Sequence, residues 1–189
     1  KIVVGYDFHF GKDRRCSFLD LKKLFHGEVV VVDEVSHMGD SVHSHKIRLK
    51  LGMGDIKGAN AFLGRNYSVD GAIVKGQGIG HKELVATINI DPVDFLLPKE
   101  GVYVTLSRVD DEEHFHPSVS FVGHRVSTDG SFAVETHLLD GEILCTQKAT
   151  ISFVDFIRPN RKFDSMDELR VAIKKDIAVA QRELKFLQM

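Results

Sequence analysis

The 189-residue chain balances 25 Lys and Arg against 27 Asp and Glu, and a formal net charge of -2 supplies no global field for nucleic acid or an anionic membrane surface. Hydrophobic residues make up 43% and charged residues 28%, an ordinary globular balance with enough apolar material for a real core. No apolar run approaches the roughly 20 residues that span a bilayer, and Cys16 and Cys145 are too far apart in sequence to form a metal or redox motif, so a cytoplasmic setting is expected.

The chain opens on Lys1 and passes straight into IVVG (2–5), which leads us to expect an upstream portion. IVVG has the texture of a buried parallel strand, SFLDLKKLF (17–25) has helical spacing, and EVVVVDEV (28–35) reads as a second buried strand. Strand, helix, strand is α/β order. From Ser41 to Leu63 the apolar positions Ile47, Leu49, Leu51, Ile56, Ala59 and Phe62 predict helical segments interrupted at GMG (52–54), and LGRNY (63–67) marks a boundary.

Beyond that boundary the texture changes. SVDGAIV, GVYVTLSRV, SVSFVGHRV, SFAVETHLL and EILCTQKATISFV are strand-like, with turn signals at Asp129-Gly130 and Asp140-Gly141. Short strands at this spacing predict an antiparallel barrel or sandwich. A helix closes the chain: Ser165 and Glu168 fit a capping box, and Leu169, Ile173, Ile177, Ala180, Leu184 and Leu187 form one apolar stripe expected to cover the barrel.

GQGIGHKELVATIN (76–89) is the one glycine-rich stretch with polar residues at its exit. His81 stands where a dinucleotide fingerprint needs its third glycine, and no Gly-Lys-Ser/Thr closes the run as a P-loop requires. On the glycines alone a hairpin connection is the better reading. Thr87 and Asn89 are two apart, so an extended segment projects both from one face, and a hydroxyl with an amide carbonyl suits Mg²⁺ and phosphate. In AVETHLLD, Glu135 alternates with Val134 and Thr136, which leaves it either an exposed strand glutamate or a placed carboxylate. His43-x-His45 and His114-x-His116 lack the spacing of a zinc motif.

The order of landmarks resembles the bifunctional riboflavin kinase/FMN adenylyltransferase family of bacteria. VVGYDFHFGKDRR resembles that family's Gly-x-Asp-Phe-x-Phe-Gly stretch, VHSHKIR its Ile-Ser-Ser-Thr-x-Ile-Arg motif, and GDIKGANAFLGRNY its inter-domain passage. GQGIGHKELVATIN falls on the Gly-x-Gly-x-Gly flap with Pro-Thr-Ala-Asn, and LLPKEGVYV, AVETHLLD and FIRPNRKFDSMDEL follow in order. There are departures: Ala86-Thr87-Ile88-Asn89 has lost the proline, Val126-Ser127 replaces a Pro-Thr after a Gly-x-Arg element, and His43 and His45 replace a serine and a threonine.

The resemblance implies the end of a Rossmann-like nucleotidyltransferase domain over 1–62, then an antiparallel Greek-key β-barrel with a C-terminal helix over 63–189. It implies transfer of the γ-phosphate of ATP, with Mg²⁺, to the 5′-hydroxyl of riboflavin to give FMN, in an enzyme that also adenylylates FMN to FAD. Glu135 would be the general base; Gly76, Gly78, Gly80, Lys82, Thr87 and Asn89 would hold the nucleotide, with Thr87 and Asn89 on the metal. Arg158, Arg161 and Phe163 would border the flavin, Phe163 having a second reading as a staple before the terminal helix. Ser44, Lys46 and Arg48 would meet adenylyltransferase phosphates or form a solvated basic helix start. Partners would be small molecules, with no nucleic acid and no membrane. A non-catalytic flavin- or nucleotide-binding paralogue with altered motifs is the alternative.

Overall fold

β-Branched residues, stiff at χ1, favour extended backbone, and the first two such runs pair in parallel: β1 (Ile2–Gly5) with β4 (Val29–Val32). Between them come β2 (His9–Phe10), β3 (Cys16–Ser17) and α1 (Phe18–Leu24). Ser17 starts α1 with a capping box: its hydroxyl accepts from Leu19 N–H at 3.3 Å and its own N–H donates to the Asp20 carboxylate at 2.9 Å. β5 (Ser36–His37) and β6 (Asp40–Ser41) form a small ladder. The computed structural model describes residues 1–75, 87–127, 129–140 and 147–187, in two compact units, Lys1–His43 and Ser44–Met189.

The strand–helix–strand order of the first unit agrees with expectation, but its strands are less buried than their composition suggests. Val4 is buried while Val3 is 59% exposed, because a two-stranded sheet offers little cover to either face. These two strands and one helix are α/β in texture and do not by themselves show a Rossmann-like domain.

In the second unit, α2 (Ser44–Met53) and α3 (Ile56–Leu63) break at the Gly52–Gly54 segment. Asp55 caps α3 by accepting from Gly58 N–H at 3.0 Å, and Gly64, at φ 67°, ends it in the left-handed conformation. Leu51, Ile56 and Ala59 are buried in the same core as the barrel residues Val69, Ile151 and Phe153. By compactness the chain divides at His43/Ser44, and these helices turn their apolar side to the barrel core.

Six strands close the barrel: β7 (Tyr67–Val74), β8 (Ile88–Asp91), β9 (Gly101–Val109), β10 (His116–His124), β11 (Phe132–Leu138) and β12 (Lys148–Pro159). The order around it is β10-β11-β8-β7-β12-β9, every pairing antiparallel. β9, β10 and β11 run as a meander and β12 returns beside β9, which is Greek-key order. β12 runs on through Arg158 and Pro159, with register shifts at 153–155 and 156–158 that let it follow the curved wall. The early part of the EILCTQKATISFV strand (142–146) and the glycine of the Asp140-Gly141 turn lie outside the described residues.

The terminal helix α4 (Met166–Leu187) packs on β9 and β10. Ala180 and Leu184 are buried against Val104, with Leu106, Val119 and Ile157 around them, so the predicted stripe covers the barrel; the side chain of Leu187 lies outside the description. Ser165 accepts from Glu168 N–H at 3.2 Å, while the Glu168 carboxylate reaches Asp164 N–H at 3.3 Å, one residue earlier than a strict capping box.

Candidate active site

β8 and β11 turn alternate residues inward. Ile88 and Ile90 on β8, and Val134 and Leu138 on β11, belong to the core. The residues between them, Asn89 and Glu135, therefore lie on the outer face, and the ladder sets them directly opposite each other. Thr87 is half-buried immediately before β8.

A third residue joins the pair. Arg125, just past the end of β10, donates from Nη2 to Asn89 Oδ1 at 2.6 Å and from Nε to Glu135 Oε1 at 2.8 Å; Nη2 also reaches Glu135 Oε1. Nη1 donates to Ser131 Oγ at 2.7 Å. The side chains of Arg125 and Glu135 are only 15% and 24% exposed, so the ion pair is largely withdrawn from water and less screened than a surface pair. Among the described residues, Glu135 Oε2 takes no hydrogen bond.

The Asp129-Gly130 hairpin holds Arg125 in place. Arg125 N–H donates to Ser131 O at 2.8 Å, Gly130 N–H donates to Arg125 O at 3.1 Å, and Gly130 takes φ 73°. Asp129 accepts from Ser131 N–H and Oγ, which holds its carboxyl below the usual carboxylate range.

Beside this cluster three distant landmarks meet. Glu100 accepts from His124 N–H at 3.0 Å, faces His124 Nδ1 at 2.9 Å and takes Asn160 Nδ2 at 3.2 Å. These contacts, the His124 amide first, hold the Glu100 carboxyl below its ordinary range. Gly123 explains the small residue before the arginine: at φ 143°, a Cβ there would meet Glu100 Oε2 at 2.7 Å. An open hollow of about 840 Å³ is lined by Gly52, Lys99, Glu100, Val126, Asn160 and Arg161, among others.

Arg158, Arg161 and Phe163 also come together. Both guanidiniums lie over the Phe163 ring, 5.4 Å from its centre for Arg158 and 4.7 Å for Arg161. Phe163 N–H donates to Ser127 Oγ at 3.0 Å, which ties this segment to the residues after Arg125. Arg158 is held from the other side by Asp176 of α4, at 3.0 Å from Nε and 2.8 Å from Nη2. Arg161 borders the hollow, and Arg158 serves the helix contact.

Ser44, Lys46 and Arg48 lie at the start of α2, with Arg48 Nη1 on Ser44 Oγ one turn back at 3.2 Å. Gly76, Gly78, Gly80 and Lys82 lie outside the described residues. His43 sits 3.8 Å from Asp7, and His116 bonds Glu112 and Asp140.

Residues 63–184 match the flavokinase family model, described as riboflavin kinase. The chain belongs to the riboflavin kinase family. Curated relatives named bifunctional riboflavin kinase/FMN adenylyltransferase include those of Listeria monocytogenes (30% identity; 93% of this chain, 57% of that protein) and Pseudomonas fluorescens (32%; 95% and 59%). The Mycoplasma pneumoniae relative of the same name is 30% identical over 96% of this chain and 65% of its own length. The chain thus spans about 57–65% of these relatives. A crystal structure described as a macrolide-efflux protein from Streptococcus pneumoniae matches with a TM-score of 0.78 and 29% identity, over 94% of this chain and 58% of that one. No helix among the described residues is long and apolar enough to cross a membrane.

Riboflavin kinase chemistry implies a magnesium nucleotide, and the donor set fits one. Asn89 offers a buried amide oxygen and Thr87, two residues earlier, a hydroxyl, both hard ligands, and the ladder sets Glu135 opposite Asn89. Arg125 is the residue that motif reading passes over as a site. Its signal was the Gly-x-Arg element at 123–125, which sets a guanidinium just beyond a strand end.

Proposed function

We propose that this chain is a riboflavin kinase that transfers the γ-phosphoryl group of ATP to the 5′-hydroxyl of riboflavin, giving FMN and ADP. The observation that carries the reading is the cross-strand placement of Asn89 opposite Glu135 beside Thr87, in a chain of this family. Glu135 accepts the hydroxyl proton on its carboxylate as the riboflavin oxygen bonds to the γ-phosphorus and the bond to the ADP oxygen breaks. Asn89 and Thr87 hold the metal–phosphate group. Magnesium, when bound, supplies neutralisation of phosphate charge. Arg161 and Phe163 border the flavin beside the hollow, and Gly76, Gly78, Gly80 and Lys82, outside the described residues, are assigned to the nucleotide on the resemblance alone.

In the same reading, residues 1–62 carry the end of the FMN adenylyltransferase domain of a bifunctional enzyme, with Ser44, Lys46 and Arg48 toward phosphate, and the protein works in the cytoplasm. The test is an assay with Mg-ATP and riboflavin that follows FMN by chromatography and ADP by coupled detection. ADP is expected to equal FMN plus any FAD formed from it. Flavin and nucleotide binding without turnover would favour a non-catalytic paralogue and overturn the reading.

A further inference from the structure

Arg125 sets one nitrogen between two oxygens that belong to different strands and different tasks. Nη2 meets Asn89 Oδ1 at 2.6 Å and also meets Glu135 Oε1, while Nε adds a second bond to that same carboxylate oxygen at 2.8 Å. Asn89 is buried, so an empty amide oxygen there would be costly. The oxygens converge on a positive centre, and a divalent cation bound by oxygen ligands at about 2.1 Å needs the same convergence with a small inward shift.

We infer that Arg125 is a resident counter-ion: it occupies the cation position between Asn89 and Glu135 until the nucleotide's metal takes over Asn89 Oδ1, and its guanidinium then turns to the incoming phosphates. The inference rests on the kinase reading for the identity of the incoming ligand. Its physical logic is charge exchange. With Arg125 in place the pair is neutral and a bare divalent ion meets a cation at close range. A metal–triphosphate complex differs, because its phosphates offer the displaced guanidinium a bidentate partner. Arg125 thereby discriminates metal–nucleotide from free metal. Its anchors are local: the backbone bonds between Arg125, Gly130 and Ser131 hold the base of the side chain, and the tip pivots about the Nη1 bond to Ser131 Oγ or gives it up as it turns.

The signature is two effects of opposite sign, which loss of structure would not produce. Manganese stands in for magnesium, and Mn²⁺ binding to the full chain without nucleotide is read by electron paramagnetic resonance. Arg125→Met, which uncovers the Glu135 charge, should tighten Mn²⁺ by about tenfold or more. Binding of the non-hydrolysable magnesium nucleotide AMP-PNP, read by calorimetry, should weaken by about tenfold or more in the same variant. Arg125→Lys, which keeps a charge but not the fork, should move both in the same directions by smaller factors, and it supplies the test if the Met variant does not fold. Arg125→Met combined with Asn89→Ala should lose the gain in Mn²⁺ affinity. Unchanged or weaker Mn²⁺ binding in both single variants overturns the inference. Tighter Mn²⁺ with no nucleotide binding by the wild type would instead uphold the counter-ion and overturn the kinase reading.

Discussion

Glu135 and Thr136 are neighbours on β11, yet they serve opposite sides of one wall. Glu135 faces outward into a charged cluster with Arg125 and Asn89. Thr136 faces inward, where Thr105, Ser107, Ser118, Ser120 and Thr136 are all fully buried. These five hydroxyls close a ring, each touching two others at 2.8–3.0 Å: Thr105 to Ser118 and Ser120, Ser107 to Ser118 and Thr136, Ser120 to Thr136. A hydroxyl donates one hydrogen bond and accepts others, so five in a circle satisfy one another without water or charge. The inner polar layer is self-sufficient and mute. The outer one mixes a cation, an anion and an amide, and such a cluster can exchange partners with a ligand.

This contrast predicts different losses from adjacent substitutions. Glu135→Gln keeps the shape and removes the proposed base; kcat for FMN formation should fall by roughly 10²–10⁴-fold, while flavin binding by fluorescence titration stays close to wild type. A retained kcat would remove Glu135 from the reaction and make the outer cluster as structural as the inner ring. Thr136→Val keeps the shape and opens the ring, leaving Ser107 and Ser120 each short of one partner. The cost should be about 1–3 kcal/mol, read as a drop in Tm of roughly 2–4 °C per kcal/mol, with KM and kcat little changed. An undiminished Tm would mean that the hydroxyls re-pair as four.

Much of this was legible beforehand, for identifiable reasons. The alternation in AVETHLLD assigned Glu135 and Thr136 to opposite faces, because period 2 is a property of the strand itself. The helix stripe from Leu169 to Leu184 was visible at three- and four-residue steps for the same kind of reason. What escaped notice depends on partners far away in sequence. Asp176 lies on that apolar stripe, between Ile173 and Ala180, and only the fold shows that it is buried to hold Arg158. Arg125 could be read as part of a motif, but its two oxygens come from strands 36 and 10 residues away. The hydroxyl ring draws on β9, β10 and β11 at once, and single-strand patterning reads its members as ordinary polar positions. The helices α2 and α3 looked like the tail of the front region because helical periodicity names a buried face without naming what buries it.

The smallest expected effect concerns a third polar cluster, where the barrel strands meet solvent. His116 at the start of β10 bonds Glu112 through Nε2 at 2.9 Å and Asp140 through Nδ1 at 3.2 Å. Both ring nitrogens can serve as donors only in the protonated ring, and the Glu112 hydrogen bond above all holds the imidazole pKa above its ordinary value. A raised folded-state pKa gives stability that is fully present below the unfolded value of about 6.5 and is lost as pH rises through the folded value. Tm of the wild type, measured against His116→Gln from pH 5.5 to 8.5, should therefore exceed the variant by about 1–3 °C at the acid end and converge with it at the alkaline end. Because Glu112 and Asp140 are 48% and 58% exposed, added salt should shrink the acid-side difference. The Glu135–Arg125 pair is more withdrawn from water, so the same salt should change its properties less. A difference between wild type and variant that stayed constant across pH would show His116 acting through packing alone, and would set it apart from the outer cluster, where the ion pair is withdrawn from water.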